Sequence, residues 1–243
     1  RPATEWSYRK VVKSFLGFVG GNVLLNDVDK KMVLTWRRSV IADNTLSKRT
    51  WNNKVAHMRA IFNHAIAQGY FSCRENPFNG VIARPDVKRK KTLSDMQIKK
   101  IYLMMEQQEE DESLGKLESR PNALRPAWFW LTAMDALNRT GMRQNQLLHI
   151  RLSDVDFNNG WINLRPEGSK NHKEHRVPIT AKLRLRLESL YKKSVERGAE
   201  MDDQLFNISR FDRTRKVQSS NMDHPPLRAF FRRLSKECGF TVS

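Results

Sequence analysis

Residues 138–157 read NRTGMRQNQLLHIRLSDVDF: a polar turn with one glycine, an arginine two residues on, a short apolar run and an acidic exit. The preceding residues, Ala127 to Leu137, have helical apolar spacing that Asn138 and Gly141 interrupt, and Leu147, Leu148 and Ile150 then restore it. Arg143 therefore stands near the start of a new short helix. A guanidinium held there by packed neighbours offers a planar fork of donors that fits a phosphate two bonds at a time, beside helix amides that also favour anions. The same residue has a structural reading, in which Arg143 pairs with Asp154 or Asp156.

Charge narrows the choice of partner. The 243 residues carry 44 Lys+Arg against 26 Asp+Glu, a net charge of +18. A folded chain with so large a surplus repels itself, and a polyanionic partner explains it most simply, nucleic acid first. A membrane surface is the weaker candidate, because no apolar run approaches the roughly 18 residues of a spanning helix. Cys73 and Cys238 lie far apart within helical patterns and read as reduced core thiols of a cytosolic protein. The opening RPATEW has neither a methionine nor a signal peptide, which is the expectation for a piece of a longer chain. No H-E-x-x-H, paired C-x-x-C, phosphate-binding glycine loop or G-x-S-x-G occurs, so no metal and no cofactor is implied.

The first third is helical by pattern. Tyr8, Val11, Val12, Phe15 and Phe18 form one stripe, Met32, Val33, Trp36 and Val40 a second, and Trp51, Val55, Met58, Phe62, Ala65 and Ile66 the longest, ended by Gly69. With a short piece near Asn76 to Val81, these close a small bundle over residues 1–81. The opposite helix faces carry Lys10, Lys13, Arg37, Arg38, Lys48, Arg49, Lys54 and Arg59 with few acids, which suggests a phosphate-facing surface. Residues 82–91, IARPDVKRKK, break the periodicity and read as a basic linker that includes Lys88, Arg89, Lys90 and Lys91. A second domain, 92–243, then begins with Thr92 and Asp95 at capping-box spacing ahead of Ile98, Ile101, Tyr102 and Met105. Acidic Glu109 to Glu112 belong on a side turned away from a polyanion.

Beyond Phe157, Asn159-Gly160 signals a turn between short strands, with Trp161, Ile162 and Leu164 on one strand and Arg176 to Thr180 on the return, where Pro178 suggests an edge or strand end. The polar loop between them holds Lys170, His172 and Lys173. Ala181 to Gly198 reads as a helix with Leu183, Leu187, Leu190 and Tyr191 inward and a basic surface of Lys182, Arg184, Arg186, Lys192, Lys193 and Arg197. A last helix runs from Pro225 to Gly239. The fold class is thus mainly α with a small β-hairpin or sheet: an N-terminal helical bundle and a second domain.

The string T-G-M-R-x-x-x-L-L-x-I-R-x-x-D-V-D resembles the first arginine box of the tyrosine recombinases, the phage-integrase family, and GWINLRPEGSKNHKEHRVPIT resembles that family's lysine-bearing hairpin. The resemblance implies a core-binding bundle followed by a catalytic domain, with the duplex clamped between them, the linker crossing the DNA backbone, and a tetramer on the specific DNA site. It implies phosphoryl transfer without a cofactor: a tyrosine attacks the backbone phosphate, Arg143 neutralises charge on the five-coordinate phosphorus, and Lys170 is the general acid. Lys173 is the alternative lysine, or otherwise a backbone contact. The family's second box, H-x-x-R, and its nucleophilic tyrosine are expected beyond Ser243. His224 and Arg228 are spaced four apart and read instead as a capping histidine and a surface arginine. Gln146 stands where the family more often has a glutamate. A type IB topoisomerase, a DNA-binding module without catalysis and an RNA-binding protein stay open as alternatives.

Overall fold

The computed structural model describes residues 2–21, 23–42, 46–72, 75–84, 92–116, 124–211 and 224–242. Cys73, Lys88, Arg89, Lys90 and Lys91 lie outside the described residues. The chain divides into two compact units, Arg1–Lys91 and Thr92–Ser243.

The first unit is built on α1 (Pro2–Val19), α2 (Lys30–Ala42) and α3 (Lys48–Ala67). Its core follows the three stripes: Val11 and Phe15, Val33 and Trp36, and Trp51, Val55, Met58 and Phe62 are all buried. Trp36 meets Trp51 edge-on at 5.1 Å and Phe15 at 5.0 Å between centroids, an arrangement that adds about 0.5–1.5 kcal/mol per pair beyond area burial. Ser47 caps α3 by accepting from the Thr50 N–H. The segment after α3 is fastened by amides. Asn76 donates to the Arg59 carbonyl at 2.9 Å, the Trp51 indole donates to the Val81 carbonyl at 2.8 Å, and Asn52 both donates to and accepts from the backbone of Ala83. Residues 82–84, expected to start the linker, are therefore held against α3, with Ala83 buried.

The second unit comprises α4 (Asp95–Ser113), α5 (Ala127–Thr140), α6 (Gln144–Leu147), α7 (Ala181–Val195) and α8 (His224–Cys238) and a three-stranded antiparallel sheet that shares their core. Its strands are β1 (Val155–Asp156), β2 (Trp161–Leu164) and β3 (His175–Pro178), in that order. Pro178 pairs with Trp161 at the last position of the edge strand β3, where its missing N–H is not needed. The return strand begins one residue earlier than its apolar pattern suggests and ends two earlier. The core runs through Phe129, Leu131, Leu147, Ile150, Ile162, Leu187, Phe206 and Leu227, and Trp130 stacks flat on Phe230 at 4.5 Å.

Two further sequence expectations differ from the structure. The cap of α4 is Ser94 with Gln97, not Thr92 with Asp95: Ser94 accepts from the Gln97 N–H, and the Gln97 side chain is long enough to reach back to the Ser94 N–H at 2.9 Å. The basic surface of α7 is also partly turned inward. Arg186 meets buried Asp135 at 3.0 Å and Glu109 at 3.2 Å, and Lys193 lies 3.9 Å from the Trp128 ring centroid, whereas Lys182, Arg184, Lys192 and Arg197 are exposed. Asp135 also takes Arg139 at 2.9 Å, and the one Arg186 guanidinium joins α7 to α5 through the Asp135 carboxylate and to α4 through the Glu109 carboxylate. Part of the acidic run near the end of α4 is likewise occupied within the unit, Glu109 by Arg186 and Glu112 by the Ala127 N–H.

Candidate functional site

Helix α5 stops because Gly141 takes φ 66, a left-handed conformation that costs glycine nothing, and its N–H closes on the Leu137 carbonyl at 3.1 Å. Buried Met142 anchors the next residue. Arg143 then sits at the N-cap of α6 in an extended conformation, with its N–H donating to the Gln146 side-chain oxygen at 2.8 Å while the Gln146 N–H donates to the Arg143 carbonyl at 2.9 Å. Gln146 is buried, so this reciprocal pair fixes the Arg143 backbone from inside, with an amide at the position where the family more often has a glutamate.

The Arg143 side chain is exposed and makes no ion pair among the described residues. Both acids proposed as its structural partners are engaged elsewhere. Asp154 holds Arg165 at 2.7 Å and the Arg151 N–H at 2.9 Å, and Asp156 accepts twice from Asn159, which lowers its pKa. The pairing of Arg143 with Asp154 or Asp156 is thus not the one the fold adopts.

The loop between β2 and β3 begins with a 3-10 turn, Pro166–Gly168, that packs on α6. A Cβ on Gly168 would lie 2.9 Å from the Gln146 Cα, so the approach of the two backbones requires glycine. Lys170 follows two residues later, exposed, and Lys173 is exposed further along the same loop. Between them His172 takes φ 51, in the left-handed region where a side chain is disfavoured. The fold thus mounts the lysine loop directly on the helix that Arg143 opens.

Three residues at this junction were not singled out for it from sequence: Asn145, Gly168 and His224. Asn145 donates to the Gly168 carbonyl at 3.0 Å, and its side-chain oxygen lies 3.1 Å from His224 Nε2. His224 does stand at the start of α8, as a capping residue would, but its ring reaches a residue 79 positions away. No local sequence signal carries a contact of that range.

The bundle cations are differently placed. Lys10, Lys13, Arg38 and Arg49 are exposed, whereas Arg37, Lys48 and Arg59 are half-buried. Lys54 bonds Ser14 Oγ at 2.7 Å and lies over the Trp36 ring, and burial, then the nearby charge of Lys10, pushes its pKa below the usual lysine range. No helix among the described residues is long and apolar enough to cross a membrane.

Residues 91–242 match the family described as phage integrase, and residues 1–83 match the phage integrase SAM-like domain. The chain belongs to the phage integrase family of tyrosine recombinases. It is 35% identical over 244 residues to a Pseudomonas aeruginosa protein named "Putative tyrosine recombinase XerC", covering 100% of this chain and 56% of that protein. A protein of the same name from Pseudomonas syringae is 31% identical over 240 residues, covering 98% and 49%. The chain thus spans about half the length of these curated relatives. Among solved structures it is similar to a lambda integrase (75–356) dimer bound to a COC' core site, with TM-score 0.65, 20% identity, and coverage of 100% of this chain and 74% of that one. It is also similar to the Tn1549 transposon integrase in complex with transposon right end DNA, with TM-score 0.61, 19% identity, and coverage of 79% and 60%. At these identities the likeness is one of fold. It agrees with the mainly helical architecture and small sheet read from the residues.

Proposed function

We propose that the full-length protein is a site-specific DNA recombinase that breaks and rejoins duplex DNA through a 3'-phosphotyrosine. The observation that carries this reading is the packing of the Gly168 turn on α6, which puts the Arg143 and Lys170 segments on one scaffold inside a chain of this family. In the proposed reaction a tyrosine oxygen attacks the scissile phosphorus and the 5'-oxygen departs. Arg143 stabilises the charge that builds up on the non-bridging oxygens, and its fork matches two of them. Lys170 gives its proton to the departing 5'-oxygen, which leaves as a hydroxyl. A 5'-hydroxyl of the partner strand later attacks the phosphotyrosine and restores the tyrosine. One phosphodiester is exchanged for another, so the chemistry needs no nucleotide.

The bundle, residues 1–81, is assigned to core DNA binding, residues 82–91, whose first three lie against α3, to a basic linker, and residues 92–243 to the catalytic domain. The partner is duplex DNA carrying a specific recombination site, on which the protein assembles as a tetramer in the cytoplasm. The charge of +18 supports the polyanionic partner. The test is a pair of DNA sites incubated with the full-length protein. Strand exchange between the two sites is expected. Relaxation of supercoils without exchange would favour a topoisomerase, and binding without any strand scission would leave only a DNA-binding module.

A further inference from the structure

Asn145 lies in the first turn of α6, two residues after Arg143, and is half-buried. Its Nδ2 is 3.0 Å from the Gly168 carbonyl oxygen and its Oδ1 is 3.1 Å from His224 Nε2. A carbonyl only accepts, so the amide NH2 must face Gly168, which leaves the amide oxygen facing the histidine. His224 therefore carries a hydrogen on Nε2 and donates it to Asn145. Three segments remote in sequence meet on one planar group: the helix opened by Arg143, the turn before Lys170, and the first residue of α8.

We propose that Asn145 is a positioning residue of the recombinase site, fixing the Lys170 loop relative to Arg143, and that His224 holds the Asn145 amide in the orientation that serves this purpose. The proposal rests on the function proposed above. The Gly168 turn satisfies its own backbone, with the Gly168 N–H on the Arg165 carbonyl at 3.2 Å and the Ser169 N–H on the Pro166 carbonyl at 3.0 Å. Its packing on α6 is close but has no direction, whereas the hydrogen bond from Asn145 sets where along α6 the turn sits. Such a bond is worth only about 1 kcal/mol of stability. Misplacing a catalytic group by an ångström can cost on the order of 100-fold in rate. Loss of Asn145 should therefore show in catalysis far more than in folding.

Asn145→Asp separates the two contacts. It keeps the shape and an oxygen to accept from His224, but it removes the NH2 and sets a carboxylate against the Gly168 carbonyl. Two readouts are needed: amide hydrogen exchange across residues 168–172 in the 243-residue chain, and single-turnover cleavage with DNA affinity in the full-length protein. The expected result is exchange faster by roughly three- to tenfold, DNA affinity within a few fold, and cleavage slower by about 100-fold. His224→Ala, which removes the donor and leaves Asn145 in place, should move both quantities the same way by smaller factors. Should Asn145→Asp not fold, His224→Ala alone decides. Unchanged exchange at 168–172 overturns the anchoring, and cleavage that falls only in step with DNA affinity overturns the positioning role. Faster exchange in the variant, with no cleavage by the wild-type full-length protein, overturns the proposed function and with it the catalytic consequence.

Discussion

Gly168 lies so close to Gln146 that a Cβ on the glycine would sit 2.9 Å from the Gln146 Cα, with the Asn145 carbonyl oxygen 3.1 Å away. The obstacle is backbone rather than the end of a flexible side chain, so Gly168→Ala must push the β2–β3 loop off α6. Overpacking of this kind costs about 1–3 kcal/mol. Denaturant unfolding of the chain should show a loss in that range, and cleavage by the full-length protein should fall further than the stability loss explains. Unchanged stability would mean that the loop does not rest on α6.

The two loop lysines should differ. In the full-length protein, Lys170→Ala is expected to suppress cleavage far more than DNA binding, and Lys173→Ala to do much less. Comparison of single-turnover cleavage with affinity for the same duplex measures both. The reverse order would move the general acid to Lys173, and equal losses would leave both as backbone contacts.

Binding of the 243-residue chain to duplex DNA should depend steeply on salt, because each phosphate contact releases counterions. Affinity is expected to fall by at least about tenfold between roughly 50 and 200 mM salt. A flat response would remove the electrostatic reading of the surplus charge.

Tyr102 offers a pH test. Burial, then the charge of Asp135, pushes its phenol up to about 12, and Asn138 Nδ2 donates to its oxygen at 3.2 Å. The fold thus favours the neutral phenol. That contribution to stability is complete below the unfolded value of about 10 and is lost as pH rises from there through about 12. Phenolate absorbance should show a late component that disappears in Tyr102→Phe. A phenol held neutral is poorly suited to attack phosphorus, so the same variant should leave cleavage by the full-length protein near normal. Ionisation of Tyr102 near pH 10 would contradict this account.

Much of this architecture is legible in the residues because it depends on local periodicity. The stripes through Phe15, Trp36 and Phe62 are the bundle core, Gly141 ends α5, and Pro178 ends an edge strand. Arg143 and the lysine loop were legible as motifs. Their support was not, because it comes from contacts between distant segments. Gly168 reads as one more residue of a polar loop until α6 is laid against it, and the partner of His224 lies 79 residues away. The same limit explains α7: Arg186 and Lys193 look like solvated cations from spacing, and only the tertiary fold brings Asp135 and Trp128 beneath them.

The role proposed for the exposed guanidinium at the start of α6, to act on the phosphate in the transition state, is tested most directly by Arg143→Lys in the full-length protein, with a suicide substrate that traps the covalent protein–DNA adduct. Lysine keeps the charge and loses the planar fork. DNA binding should stay within a few fold of wild type while adduct formation falls by about 10²–10³, the loss seen when one preorganised donor is removed. Adduct formation at the wild-type rate would contradict the account and return Arg143 to a structural role.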